Sequence, residues 1–120
     1  MLTFERLKEI VLAYPDTEET TSWDARSFKV NGKVNGKVIL FWNPTYDAPV
    51  FKVSFEERDF LLEVDPDTFF TTDHHRPWPL ILARPDRVDI DWVRANIDRV
   101  WRAQVKKRTL KAWDEASSRA

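Results

Sequence analysis

Residues 30–42, VNGKVNGKVILFW, decide the fold. The second half, residues 37–42, is an apolar run of strand length, rich in β-branched and aromatic side chains. At period two, Val38, Leu40 and Trp42 face one way and Ile39 and Phe41 the other. The first half writes residues 30–33 again as residues 34–37. Each copy carries an Asn-Gly pair, and both residues tolerate the positive φ of a tight hairpin turn. Arg26, Phe28 and Val30 upstream fit a half-exposed strand. A hairpin is expected here, with its register open between the two Asn-Gly pairs.

On the N-terminal side, Thr3 is placed to cap a helix, with Leu2 and Leu7 as a hydrophobic staple. Phe4, Leu7, Ile10, Val11 and Tyr14 follow at helical spacing until Pro15 stops the run. Residues 16–24, DTEETTSWD, are polar and read as a loop. On the C-terminal side, residues 43–49 form a turn region and residues 50–53 a third strand. Ser54-Phe55-Glu56-Glu57 is a capping box. It opens a helix to about Val64, with Phe60, Leu61 and Val64 expected inward. Residues 69–72 and 80–83 read as strands joined by the loop DHHRPWP. Asp89 or Asp91 caps a last helix with Val93, Ile97, Val100, Trp101 and Gln104 on one face. No Gly or Pro follows Pro85. The helix is therefore expected to run, straight or bent, past Lys106 to at least Leu110, with Leu110 or Trp113 packed on the body and its basic side chains near the helix C-terminus. The expected order is α-β-β-β-α-β-β-α. It describes an α+β protein, a two-layer α/β sandwich with one curved antiparallel sheet and helices on one face. At 120 residues it reads as one domain, 1–120, ending in a basic helical segment, 94–120.

The absence of cysteine excludes disulfides, thiolate metal sites and a Cys nucleophile. The start MLTFERLKEIV lacks a signal-peptide layout, and no apolar run approaches the ~18 residues that span a bilayer, so a cytoplasmic location and no membrane partner are expected. Net charge is −1, unevenly spread: residues 94–120 hold eight Lys and Arg against three Asp and Glu. A basic terminal helix on an acidic body favours polyanions. Arg26, Lys29, Lys33 and Lys37 fall in residues 25–46, which contain no acid, and Lys52 follows on the third strand. Arg99, Arg102, Lys106, Lys107, Arg108 and Lys111 form the second cluster. Together these are the candidate nucleic-acid contacts, with Lys29, Lys33 and Lys37 expected on one solvent face. The plainer alternative is solvation of an edge strand and a terminal helix.

No other chemistry assembles. Asp73-His74-His75 invites a metal, but adjacent residues on an extended loop point apart, so no ligation is expected. The paired acids Glu56-Glu57 suit a helix N-terminus, and Asp65 and Asp67 suit a turn. Two glycines cannot build a phosphate cradle. No catalytic residue, cofactor or metal is expected. Trp23, Trp78 and Trp113 lie near element ends, where packing is expected ahead of pocket lining.

Taken in order, the chain resembles the MmcQ/YjbR family. The resemblance is carried by the helix ending near Tyr14-Pro15, by Phe28-Lys29-Val30 before Gly32-Lys33, by Asp65-Pro66-Asp67-Thr68-Phe69-Phe70, by His74-His75-Arg76, and by the closing helix with Trp101-Arg102 and Lys107-Arg108. It implies an α-β(3)-α-β(2)-α layout. It also implies a relation to double-wing DNA-binding domains and, more loosely, to frataxin-like and secretion-chaperone-like folds. DNA is the first partner expected. A protein-interaction adaptor, or a small-ligand site near residues 73–79 with His74, His75 and Trp78, is the alternative. Pro77 stands where the family commonly has Gly, Leu80 where it has Trp, and Lys106 where many relatives have Pro.

Overall fold

A computed structural model describes residues 1–32 and 36–119. In chain order the elements are α1 (Phe4–Leu12), β1 (Thr17–Ser22), β2 (Ala25–Val30), β3 (Lys37–Asn43), β4 (Ala48–Lys52), α2 (Phe55–Val64), β5 (Phe69–Phe70), β6 (Leu80–Ala83), α3 (Ile90–Gln104) and α4 (Lys107–Ser118). The strands form one antiparallel sheet in the order β1-β2-β3-β4-β6-β5. The protein is α+β, as expected, and among the described residues it has one strand and one helix more than the sequence implies.

The extra strand is β1, within the polar segment read as a loop. Every β1 residue pairs with β2, from Thr17 opposite Val30 to Ser22 opposite Ala25. TEETTS carries no apolar alternation because it is an edge strand; its threonines suit the pleat and its acids keep the edge soluble. The connecting turn is Trp23-Asp24, with φ of 52° and 59°. That is the backbone of a two-residue primed turn, here without Asn or Gly.

A bulge shapes the next hairpin. Phe28 pairs with Leu40 but Lys29 with Val38, so Ile39 is the extra residue. Ile39 and Leu40 are consequently both buried in the core, and the strict alternation expected along β3 fails there. Asn31 and Gly32 take φ of 73° and 84°, the left-handed pair that the first Asn-Gly favours. Residues 33–35, and with them Lys33 and the second Asn-Gly pair's Asn35, lie outside the described residues.

One sheet face carries the row Phe28, Leu40, Phe51 and Ile81, matched strand to strand. Onto it pack Phe4, Leu7, Ile10 and Val11 of α1 and Val93, Ile97, Val100 and Trp101 of α3. The α1 cap is as read: Thr3 Oγ1 accepts from the Arg6 N–H at 3.1 Å. So is the α2 cap, where Ser54 Oγ accepts from the Glu57 N–H at 3.0 Å. Burial on α2 differs from expectation: Leu61 is buried, while Phe60 and Val64 are exposed. This short helix lies against the brief β5–β6 edge, which offers it little surface to cover. The opposite sheet face runs Ser27, Phe41, Val50, Leu82 and Phe70. The loop after β5 touches it through His75, whose ring stacks on Phe41 at 6.4 Å.

Helix is present past Lys106 and beyond Leu110, as expected, but the C-terminal helix is broken into two elements rather than merely bent. Val105 and Lys106 are extended, with ψ of 155° and 142°, and α4 starts afresh at Lys107. The stop comes from the β2 end of the sheet. Asn31 Nδ2 donates to the Gln104 carbonyl at 2.7 Å, and Asn31 Oδ1 accepts from the Lys106 N–H at 3.2 Å. One carboxamide thus satisfies the last carbonyl of α3 and the first amide beyond the break, groups that a helix end otherwise leaves orphaned. Val105 is buried in the core, which fixes the kink from the other side. Leu110 and Trp113 do pack on the body.

Asn31→Gly removes both bonds while keeping the left-handed backbone. At about 1 kcal/mol per bond, stability should fall by about 2 kcal/mol in urea denaturation. Amide exchange through residues 106–110 should accelerate more than through α1. An unchanged midpoint and unchanged exchange would show that the break is held elsewhere.

Candidate nucleic-acid interface

The structure sorts the basic residues into two groups. Arg26 reaches Glu19 at 3.2 Å and Glu5 at 3.5 Å, and its guanidinium lies 3.7 Å above the Phe4 ring. Lys8 holds the other Glu19 oxygen at 3.2 Å, and this partner leads the causes that depress the Glu19 carboxyl below its usual range. Lys29 meets Glu18 at 3.5 Å and its side chain is only 14% exposed, so it does not reach freely into solvent as expected. Arg99 pairs with Glu57 of α2 at 3.0 Å. Arg102 bridges Asp98 at 2.8 Å and Asp114 at 2.9 Å. These four cations tie elements together: β2 to β1 and α1, α3 to α2, and α3 to α4.

The second group comprises Lys37, Lys52, Lys106, Lys107, Arg108 and Lys111. None makes an ion pair among the described residues. All but Lys52 are exposed. The hairpin and the helix break bring parts of the two sequence clusters into contact. Gln104, on the last turn of α3, donates from Nε2 to the Val38 carbonyl at 3.2 Å and accepts from Lys52 Nζ on Oε1 at 2.8 Å. Asn31, one residue past β2, bonds Gln104 and Lys106 as described. Burial holds the Lys52 amine below the usual lysine range, and the charge of Lys37 adds to the effect.

At the break, Lys106 is the N-cap of α4 and provides no side-chain cap; no acid lies in the first turn. Lys106, Lys107 and Arg108 therefore stand at the positive end of a twelve-residue helix. The sequence reading placed them near a helix C-terminus, where they would be favoured. The interruption reverses that sign: each charge is now destabilising by about 0.3–1 kcal/mol before solvent screening.

A polar relay holds α4 in this position. Tyr14 O–H donates to Asp98 Oδ1 at 3.0 Å, and Arg102 joins Asp98 to Asp114 on α4. Trp113 packs against both Tyr14 and Trp101, with ring centroids 5.2 and 5.5 Å away, and those two rings touch each other at 5.0 Å. Trp101 Nε1 donates to the Pro15 carbonyl, and Thr109 Oγ1 donates to Asp16 Oδ2, both at 3.0 Å. Burial, then the bond to Asp98, push the Tyr14 phenol up to about 12. The sequence reading saw Asn31 only as a turn residue and Tyr14 only as a helix end. The one available signal was Gln104, a polar side chain on the apolar face of α3.

The histidine loop is built otherwise. His75 is 4% exposed, and its Nδ1 lies 2.6 Å from Thr72 Oγ1. Burial depresses its pKa, with His74 adding to the effect. The His74 and His75 rings stand at 90°. Among the described residues no three His, Cys, Asp or Glu side chains gather as metal ligands. Trp23 and Trp78, expected to pack, are largely exposed; Trp113 packs. No described helix is long and apolar enough to cross a membrane.

Comparison with known proteins agrees with the fold. The family model described as YjbR matches residues 12–103. The crystal structure of Deinococcus radiodurans protein DR2400, a DUF419 domain, superposes with a TM-score of 0.73 at 18% identity, covering 86% of this chain and 78% of that one. At that identity the likeness concerns the fold. No curated protein matches the chain. Helix α4 lies beyond the matched span.

Tyr14→Phe should change the alkaline limb of stability. A phenol whose pKa rises from 10.0 unfolded to about 12 folded stabilises fully below pH 10, and that contribution is lost as pH rises toward 12. Wild type should therefore lose stability between these values, and the variant should lose less over the same interval. At pH 7 the variant should be weaker by about 1 kcal/mol for the missing bond. Denaturant titrations at a series of pH values test this; parallel alkaline limbs would contradict it.

Proposed function

The chain belongs to the YjbR family, and from that premise we propose that it is a non-catalytic DNA-binding protein whose contact surface is the basic end around the α3–α4 break. The observation that carries this reading is Lys106-Lys107-Arg108 at the start of α4, against the helix dipole and without carboxylate partners among the described residues. Such an arrangement is relieved when an anion occupies the helix start, where backbone N–H groups also point. Lys111 continues the charge one turn along α4, while Lys37 and Lys52 extend it onto the sheet. Lys33 joins the proposal by its place in the hairpin sequence. A row of unpaired cations suits the evenly spaced phosphates of a DNA backbone and reads charge before base sequence. Arg26, Lys29, Arg99 and Arg102 are secondary contacts in this proposal. Each must exchange a carboxylate already in place for a phosphate, which reduces its net contribution.

A protein-interaction role is favoured by a different observation. Trp23 is 78% exposed on a left-handed turn backbone that is costly for a bulky residue. Its ring meets Phe41 on the sheet face opposite α1 and α3 at 5.6 Å. Exposed Tyr46 packs on Phe70 of the same face at 5.9 Å.

Fluorescence anisotropy with a short labelled duplex across a salt series tests the DNA reading. Replacing Lys106, Lys107 and Arg108 together by Ala should weaken binding and reduce the slope of log K against log salt by up to about three units. Trp23→Ala should leave that slope unchanged. A triple variant that binds like wild type would overturn the proposal, and a loss confined to Trp23→Ala would favour the protein-interaction reading.

A further inference from the structure

Lys52 stands apart from the other basic residues because it is half-buried and still lacks a carboxylate. Its Nζ rests on the neutral amide oxygen of Gln104 at 2.8 Å, and the like charge of Lys37 acts on it. The backbone beneath it is fixed, since Asn96 Nδ2 donates to the Lys52 carbonyl at 2.9 Å. A cation drawn out of water without a counter-ion is costly, and a protein retains such an arrangement most readily where a ligand supplies the missing charge.

The space for that charge is present. Lys52 lines an open groove of about 240 Å³ between the end of β4 and α3. Val53, Val100 and Ala103 make its apolar floor, and Ser54, Arg99 and Gln104 its rim. Arg99 is already paired with Glu57 at 3.0 Å, and Ser54 Oγ already caps α2. The groove therefore offers one uncompensated positive charge above an apolar surface. One excess charge matches a carboxylate rather than a phosphate dianion. The volume lies just below the ~300 Å³ lower bound of typical ligand pockets, which limits the occupant to a small molecule.

We propose that the groove between β4 and α3 binds a small organic carboxylate, its head on Lys52 Nζ and its short apolar body on Val53, Val100 and Ala103. Head binding restores a counter-ion to Lys52, and the floor discriminates a short alkyl chain from a bare anion. The site shares Lys52 with the DNA reading, but it needs neither Lys106-Lys107-Arg108 nor a polyanion, so the two can fail independently.

The probe is butyrate, compared with chloride and inorganic phosphate at matched ionic strength, read by the lysine ¹³Cε signals and by melting temperature. In wild type the Lys52 signal should shift saturably with butyrate, while the other lysines move little, and the melting temperature should rise along the same curve. Lys52→Met, which keeps the stem on the floor, should abolish the melting response. The variant with Ala at 106, 107 and 108 should retain it, so failure of the DNA reading leaves this test intact. A uniform, unsaturating drift of all lysines, or equal responses to butyrate and chloride, would overturn the proposal. The wild-type spectrum decides the matter even if Lys52→Met does not fold.

Discussion

The carboxamide of Asn31 is the contact on which the placement of the charges depends. Its nitrogen closes α3 on the Gln104 carbonyl, and its oxygen takes the Lys106 N–H beyond the break. A helix terminus buried without partners is expensive, so the helix stops where a partner is available. That partner is held rigidly: Asn31 has left-handed φ, and its N–H donates to the Asp16 carbonyl at 3.1 Å. Asn tolerates this conformation at low cost. The hairpin and the C-terminal segment are in this way fixed relative to one another. Without the break, residues 106–111 would continue the direction of α3.

Two populations of positive charge follow. Arg26, Lys29, Arg99 and Arg102 each hold a carboxylate on a neighbouring element. The exposed pairs among them contribute little individually, roughly 0–1 kcal/mol, but all of them select which elements adjoin and withdraw these cations from competition for ligands. Lys37, Lys52, Lys106, Lys107, Arg108 and Lys111 make no ion pair among the described residues, and at the start of α4 the helix dipole adds to the charge. The same architecture thus uses one set of cations to order the fold and leaves the other to the surroundings.

The elements that the sequence made legible are those whose information is local. Ser54 and Thr3 form the caps their positions imply, and the apolar positions of α1 and α3 pack as their spacing implies. What was illegible depends on partners far along the chain. TEETTS becomes a strand because β2 offers it a ladder, not because of its own pattern. Ile39 turns inward because a bulge adds one residue to β3. The helix stop at Lys106 needed no Pro or Gly, since Asn31 supplies the caps from about seventy residues away in sequence. For the candidate interface, composition located the two basic clusters; the pairing of Lys29 with Glu18 and the isolation of Lys52 are products of tertiary contact.

The central claim is that the start of α4, turned outward by the break, is the anion-receiving end of the molecule. Backbone amide shifts recorded while a short DNA duplex is added test this most directly, because the N–H groups at a helix start report an anion placed upon them. The expected result is that the largest shifts fall on Lys107, Arg108 and Thr109, with smaller ones at Lys37 and Lys52. Shifts centred instead on Trp23 and the sheet face opposite α1 and α3, or no shifts at α4 under low salt, would contradict it.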